Sequence, residues 1–350
     1  MPSPLPTEAR AARLIRFEAS AEVHSPGRVW NDACDRVHPA PDRVRCPTVT
    51  TGPDARATAH AYLEQPRDAV RETFERVFFE RELDRVLAEA PGGRVLDLGC
   101  GDGLLSELAG DRLDHYVGVD LHPPAGDAQL GFVAHDLSEG LGPVGEEPFD
   151  VYFSSFGVAS HLTPGGLERL CREISCHGRP GSLVALEALG LFSLEWPSLW
   201  HTAPGPARTL SYRLAAETRV HPWSGSELRE IFSSSGIEPL RTVDRSVQAG
   251  PKVGEGRYWQ GLPPVRAALN ALLEGSFEGV GDLAAPLPPL PAHPVHPVAR
   301  VHHGLATDRH ALMEELSEMS AQELARAIWA LEPDTGEGYG HGLMVVGRIP

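Results

Sequence analysis

Residues Arg94 to Gly103 read RVLDLGCGDG. Val95 to Leu98 is a short apolar run that carries one acid, and a turn with glycines at 99, 101 and 103 follows it at once. A run of this kind is a buried parallel strand, and the glycines at its exit let something bulky approach the backbone. The shape implied is that of a nucleotide-like cofactor site.

Working outward, the same rhythm repeats: a hydrophobic strand, then a polar or helical crossover. The spacing predicts a strand over Arg94 to Leu98, a short helix over Leu104 to Ala109, and strands over His115 to Leu121 and Phe132 to Leu137. It then predicts a strand over Phe149 to Ser154, a helix over Gly165 to Cys176 and a strand over Ser182 to Leu189. Such alternation implies right-handed crossovers, with a ligand at the carboxyl ends of the strands. Ser224 and Glu227 have capping-box spacing at the head of a further helix, which leads to a strand over Ile237 to Val247.

The glycine spacing alone does not select the cofactor. In a dinucleotide fingerprint the third glycine would fall at 104, where this chain has leucine. What sharpens the reading is Asp97 inside the motif, Asp120 at the end of the second strand and Asp136 at the end of the third. With these residues the sequence resembles the class I S-adenosylmethionine-dependent methyltransferases. Their first motif has the form hhDhGCGxG, and Asp97, Leu98, Gly99, Cys100, Gly101 and Gly103 match it.

The resemblance implies a Rossmann-like α/β fold: a seven-stranded, mostly parallel sheet with helices on both faces. It implies S-adenosylmethionine as cofactor, with Gly99, Cys100 and Gly101 closing on the methionyl end and Asp97 organising that turn. Asp120 would accept both ribose hydroxyls, a task suited to an ionised carboxylate. Leu121 and His122 would flank ribose and adenine, Asp136 and Leu137 would receive the base, and Ser155 and Phe156 would line the reactive sulfur. In that family a helix leading into the first strand covers the cofactor, which makes Tyr62, Arg71 and Phe74 candidates for contact. The last strand would be GLMVVGRI, Gly342 to Ile349, antiparallel to its partner at the sheet edge.

The chain departs from the family pattern at both ends of this core. Residues 1–90 read as an N-terminal extension and covering helix, 91–247 as the core, 248–341 as an insertion and 342–350 as the last core strand. In the extension, Trp30 and Cys34 are the expected anchors, and a helix is predicted from Ala57 to Glu89 with a break near Pro66. In the insertion, helices are predicted over Pro263 to Leu273, Asp308 to Met319 and Ser320 to Leu331, with proline-dense Leu283 to Pro297 extended. The insertion reads as a substrate lid or a dimerisation element, so a homodimer is one expected partnership.

Charge and composition narrow the acceptor. The chain has 31 Lys and Arg against 48 Asp and Glu, a net charge of −17, which opposes a broad electrostatic grip on nucleic acid. Five cysteines form no paired framework, and no uninterrupted apolar run is long enough to span a bilayer. The expectation is a cytoplasmic protein without nucleic-acid or membrane partners. The exit of the fourth strand, SSFG, is not the Asn/Asp-Pro-Pro-Tyr signature of enzymes methylating adenine or glutamine, so a small metabolite of natural-product type, methylated at oxygen, is the expected acceptor.

Methyl transfer needs a base only where the acceptor must lose a proton. The candidates are His161, Glu187 and His201, with Glu195 in the same loop as His201. Trp196 and Trp200 are candidates to wall the acceptor. The histidines at 293, 296, 302, 303 and 310 lack a fixed metal-ligand spacing, and no metal is expected. A nicotinamide dinucleotide site and a non-methylating scaffold that keeps the cofactor fold are the competing readings.

Overall fold

In the computed structural model, the described residues are 53–64, 67–124, 131–205, 208–213, 217–248, 265–276, 283, 297–315, 319–332 and 335–350. Expectations for Trp30 and Cys34, for most of the proline-dense segment and for His293 and His296 fall outside them.

Seven strands form one sheet: β1 (Arg94–Leu98), β2 (His115–Asp120), β3 (Gly131–Ala134), β4 (Val151–Phe153), β5 (Leu183–Leu189), β8 (Glu238–Arg245) and β9 (Gly342–Arg348). Their order is β3-β2-β1-β4-β5-β9-β8, with β9 antiparallel to both its neighbours and the other pairings parallel. Every residue of β5 is buried, as are all but the last of β9, so the central strands read as continuous apolar runs rather than alternations.

Helices cover both faces. On one side, α2 (Arg76–Glu89) and α3 (Leu104–Ala109) set Phe79, Leu83, Val86 and Leu105 against Val95, Phe153 and Ala185. On the other, α4 (Pro164–His177) and α5 (Gly225–Ser234) set Leu167, Leu170, Ile174 and Phe232 against Leu96, Tyr152 and Val345. A fully buried side chain of this size contributes about 1.5–3 kcal/mol. Local chemistry fixes where these helices begin. Thr163 Oγ1 accepts the N–H of Gly166 ahead of α4, and Ser224 and Glu227 form a reciprocal capping box ahead of α5.

Before α2 the chain runs through α1 (Pro53–Leu63) and a π-helical turn, Arg71–Glu75, two helical stretches on either side of the break expected near Pro66. Val70 and Phe74 from this stretch belong to a separate apolar cluster. They pack with α6 (Val265–Glu274) and α8 (Ala321–Trp329), Phe74 stacking on Trp329 at 4.8 Å. Helix α7 (Pro297–Glu315) begins eleven residues earlier than the spacing of its apolar positions predicts. A two-stranded hairpin, β6 (Leu210–Arg213) and β7 (Glu217–Val220), stands apart from the main sheet; sequence reasoning did not anticipate it. β3 stops at Ala134 rather than Leu137, because the Asp136 side chain accepts the N–H of Ser138 and turns the chain into a short 3-10 helix.

Candidate active site

The carboxyl ends of β1, β2 and β4 open onto a cavity of about 230 Å3. At the end of β1, the N–H groups of Gly99 and Cys100 both donate to the carbonyl of Val119, which folds the turn back over β2. Gly99 has φ +77°, and a Cβ there would lie 2.4 Å from Val158 Cγ2. Only glycine fits both the left-handed backbone and that approach.

Asp120, at the tip of β2, is held by two backbone donors. Gly101 N–H meets Oδ2 at 3.0 Å and His122 N–H meets Oδ1 at 2.9 Å. Each carboxylate oxygen has a second lone pair, so the clamp orients the group without exhausting it. The two glycine-rich and acidic motifs are thereby one device: the turn after β1 aims the acid of β2.

Asp97 does not reach the cavity. It is 1% exposed, and its Oδ2 accepts a bond from the Tyr116 hydroxyl at 2.8 Å. Burial pushes its carboxyl up to about 7, against the Tyr116 bond and helped by the nearby Asp120 and Asp102 carboxylates. Asp97 thus stands behind the turn it was expected to organise, bonded to Tyr116 and outside the cavity lining. Cys100 lines the cavity, and its thiol is pushed upward by burial and then by Asp97 and Asp120.

After β4 the chain enters an unusual backbone. Phe156 has φ +53°, and its ring lies 4.7 Å from the Phe79 ring. Arg71 and Arg245 sit over that ring at 4.7 and 5.3 Å. Gly157 follows, its N–H bonded to Glu187 Oε2 at 3.1 Å. Glu187 is fully buried and its other oxygen meets Arg245 Nε at 2.6 Å, so it braces the cavity wall and does not line it. As a candidate base it is thus placed beneath the site. His201, the third candidate, is exposed and also outside the lining.

His161 does line the cavity, edge-on to Tyr212 at 5.9 Å. Burial pushes its imidazole down to about 4, so it is neutral near pH 7. The β6–β7 hairpin and α1 meet over this region, Thr218 Oγ1 lying 3.0 Å from Thr58 Oγ1. The cavity therefore brings together Tyr62, Gly99, Cys100, Gly101, Asp120, Leu121, Asp136, Leu137, Ser155, Phe156 and His161. Of the remaining expected residues, His122 contributes only its backbone donor to Asp120, and Phe74 belongs to the insertion's core.

The cavity residues missed in the sequence include three that are held by ion pairs, Glu75, Arg245 and His341. Glu75 is bridged by Arg245 and Arg266, and those two guanidiniums hold its carboxyl far below the usual range in spite of its burial. Arg245, from the end of β8, completes the same wall. The third is His341, immediately before β9, whose Nδ1 lies 2.9 and 3.0 Å from the two oxygens of Glu195. The loop that delivers it is drawn in by Asp244. That carboxylate accepts the N–H groups of Glu337, Gly338 and Gly340 and the hydroxyl of Thr335. The signal available in the sequence was the glycine pattern GEGYGH at 336–341, next to a predicted strand.

The residues present fit S-adenosylmethionine. At Gly101 a Cβ would meet nothing nearer than Leu63 Cδ2 at 3.5 Å, so the turn is open there to the methionyl chain. Arg71 lines the cavity with a buried Nε that has no hydrogen-bond partner among the described residues, a donor suited to a carboxylate. Asp120 lines the same cavity with a carboxylate held by the N–H groups of Gly101 and His122. Among the described residues, no three His, Cys, Asp or Glu side chains group as metal ligands, and no helix is long and apolar enough to cross a membrane.

Residues 70–242 match a family model described as a methyltransferase domain. Among curated proteins, the chain is 33% identical over 118 residues to the ribosomal protein L11 methyltransferase of Aeromonas salmonicida, covering 31% of this chain and 37% of that protein. It is 35% identical over 120 residues to an uncharacterized methyltransferase of Synechocystis sp., covering 32% and 56%. It is 26% identical over 195 residues to the tRNA N(3)-cytidine methyltransferase of Danio rerio, covering 49% and 54%. The chain thus spans between about a third and somewhat over half of the length of these relatives.

Proposed function

Through residues 70–242 the chain belongs to the class I S-adenosylmethionine-dependent methyltransferases, and from that premise we propose that it transfers a methyl group to the oxygen of a small metabolite. The observation that carries the transfer reading is Asp120, clamped by the backbone of the glycine turn and aimed into the cavity.

In this reading Asp120 holds the ribose diol, Gly99 and Gly101 admit the methionyl chain, and Arg71 takes its carboxylate. Asp136 and Leu137 receive the adenine. When bound, S-adenosylmethionine supplies an electrophilic methyl group on a positively charged sulfur. The chain's own residues then supply placement. Phe156, fixed by Phe79 and two guanidiniums, keeps that part of the wall dry, and His161, neutral at pH 7, adds no charge against the sulfonium. Holding donor and acceptor in near-attack geometry accounts for up to about 7–11 kcal/mol of barrier in intramolecular models.

The small-molecule reading is supported by the net charge of −17 and the absence of a basic run. The printed acceptors of two relatives are a ribosomal protein and a tRNA, and they set the contrasting outcomes. The insertion is read as a lid, because α6 and α8 pack on the turn that carries Arg71 and Glu75 to the cavity. A cytoplasmic location and a role in natural-product metabolism complete the proposal. Methyl-labelled S-adenosylmethionine, incubated with the protein and separate metabolite, RNA and ribosomal-protein fractions, tests it. Label in the metabolite fraction is expected. Label confined to RNA or protein overturns the acceptor class, and calorimetric binding with no label anywhere overturns the enzyme reading in favour of a scaffold.

A further inference from the structure

We propose that Arg266, from the insertion, is a positioning residue for the methyl donor: it sets Arg71 to receive the donor's methionyl carboxylate. The assignment rests on the methyltransferase reading above and deepens it, because it makes the insertion a part of the donor site.

Arg266 lies on α6 and is 7% exposed. Its guanidinium holds two carboxylates of the segment that delivers Arg71. Nε and Nη2 donate to Asp68 Oδ2 and Oδ1 at 2.8 and 3.0 Å, while Nη1 and Nη2 donate to Glu75 Oε1 and Oε2 at 2.9 and 3.1 Å. Two forked pairs of this kind fix an orientation as well as a distance, which the point charge of a lysine does not. Asp68 stands just before the π-helical turn and Glu75 closes it, and Asp68 Oδ1 also accepts the N–H of Arg71 at 2.8 Å. Asn270, one turn further along α6, adds two bonds to the same segment. Its Oδ1 accepts the Val70 N–H at 2.8 Å, and its Nδ2 donates to Asp68 Oδ2 at 3.2 Å.

Arg71 itself is poised at the glycine turn. Its Nη2 meets Asp102, which lies between Gly101 and Gly103, at 2.7 Å, and its guanidinium sits over the Phe156 ring. Nε is buried without a hydrogen-bond partner among the described residues, and the side chain lines the cavity. An unmet charged donor is costly, and a carboxylate arriving at the turn supplies the acceptor it lacks.

The other half of the Arg266 contact reaches the opposite wall. Glu75 Oε1 also takes Arg245 Nη1 and the Ser246 hydroxyl, and Arg245 Nε continues to Glu187, which holds the Gly157 N–H. A chain of alternating charge thus runs through Asp68, Arg266, Glu75, Arg245 and Glu187, from the insertion to the turn after β4. Without Arg266 the two carboxylates lose the charge they share, and the turn between them loses the anchor that fixes where Arg71 leaves the backbone.

The test is calorimetry on the full chain with two probes, S-adenosylhomocysteine and 5′-methylthioadenosine. They share adenine, ribose and thioether, and only the first has the amino-acid end. Arg266→Gln is expected to weaken S-adenosylhomocysteine about 10-fold or more and to leave 5′-methylthioadenosine unchanged. In an Arg71→Gln background the same substitution is expected to add nothing, because its effect runs through Arg71. Arg266→Lys keeps the charge without the two forks; it carries the test should Arg266→Gln not fold, and is expected to show the same selective loss in smaller degree. Equal losses for the two probes mark a purely structural role and overturn the assignment. So does unchanged affinity for S-adenosylhomocysteine, or full additivity with Arg71→Gln. If the wild type binds neither probe, the donor reading itself is overturned.

Discussion

Arg245 Nε lies 2.6 Å from Glu187 Oε1, with both side chains shut off from solvent, and the second oxygen of Glu187 takes the Gly157 N–H. One buried ion pair thus ties β5 and β8 to the turn that presents Phe156 to the cavity. Removing one member of a buried pair leaves the other charge uncompensated, at about 3–5 kcal/mol. Glu187→Gln keeps an acceptor for Gly157 and removes the charge. It is expected to lose stability on that scale in urea unfolding, and a loss under about 1 kcal/mol would show that Glu75 alone suffices for Arg245.

Asp120→Asn retains one oxygen for the backbone clamp and forfeits the second charged acceptor. Hydrogen bonds to charged groups are worth about 1.5–3 kcal/mol, so the dissociation constant for S-adenosylhomocysteine should rise roughly 10- to 150-fold. Isothermal calorimetry measures this directly. Unchanged affinity would remove the ribose contact from the site.

Asp97 gives stability a pH dependence of definite sign. Its carboxyl is raised from the ordinary 3.8 to about 7 in the fold, so between those values the unfolded chain releases a proton that the native state keeps. Stability therefore falls as pH rises through that window. Asp97→Asn is expected to be more stable than the wild type at pH 8, by on the order of 2–4 kcal/mol, with the gap closing toward pH 4. Parallel denaturation curves at the two pH values decide it.

His302 works in the opposite direction. It is stacked on Trp200 at 5.6 Å with Nε2 2.7 Å from the Phe192 carbonyl, and burial pushes it down from 6.5 to about 4. Below pH 6.5 the unfolded chain gains a proton that the native state refuses, so stability is lost as pH falls toward 4. His302→Gln keeps a donor for the carbonyl and abolishes the titration. Its melting temperature should fall less steeply than the wild type's between pH 6.5 and 4.5, and identical slopes would refute the assignment.

What was legible in the sequence follows from how local its cause is. The strand before the glycines, the acid at the tip of β2 and the capping box at Ser224 are each set within a few residues, and they stand where the pattern put them. Glu187 misled because strand alternation does not reveal which side faces an arginine on β8. His341 and Glu195 were invisible as a pair because the backbone contact of two distant loops brings them together. The β6–β7 hairpin has strands of four residues each, and its partner, Thr58 of α1, lies far off in sequence. Phe74, in the π-helical turn at 71–75, packs on the insertion, a distant contact that periodicity in the helix itself does not encode.

The place of β9 between β5 and β8 carries a consequence for synthesis. Residues 183–189 leave the ribosome long before residues 342–348 that cover their edge, and β8 waits for the same strand. Until then a strand that is apolar apart from Glu187 has an unpaired flank, the state most prone to pair with a neighbouring chain. Closing so distant a contact is also slow by its topology. The nascent protein should accordingly depend on chaperone protection until its last strand arrives, and the same late event that seals the sheet sets His341 into the cavity.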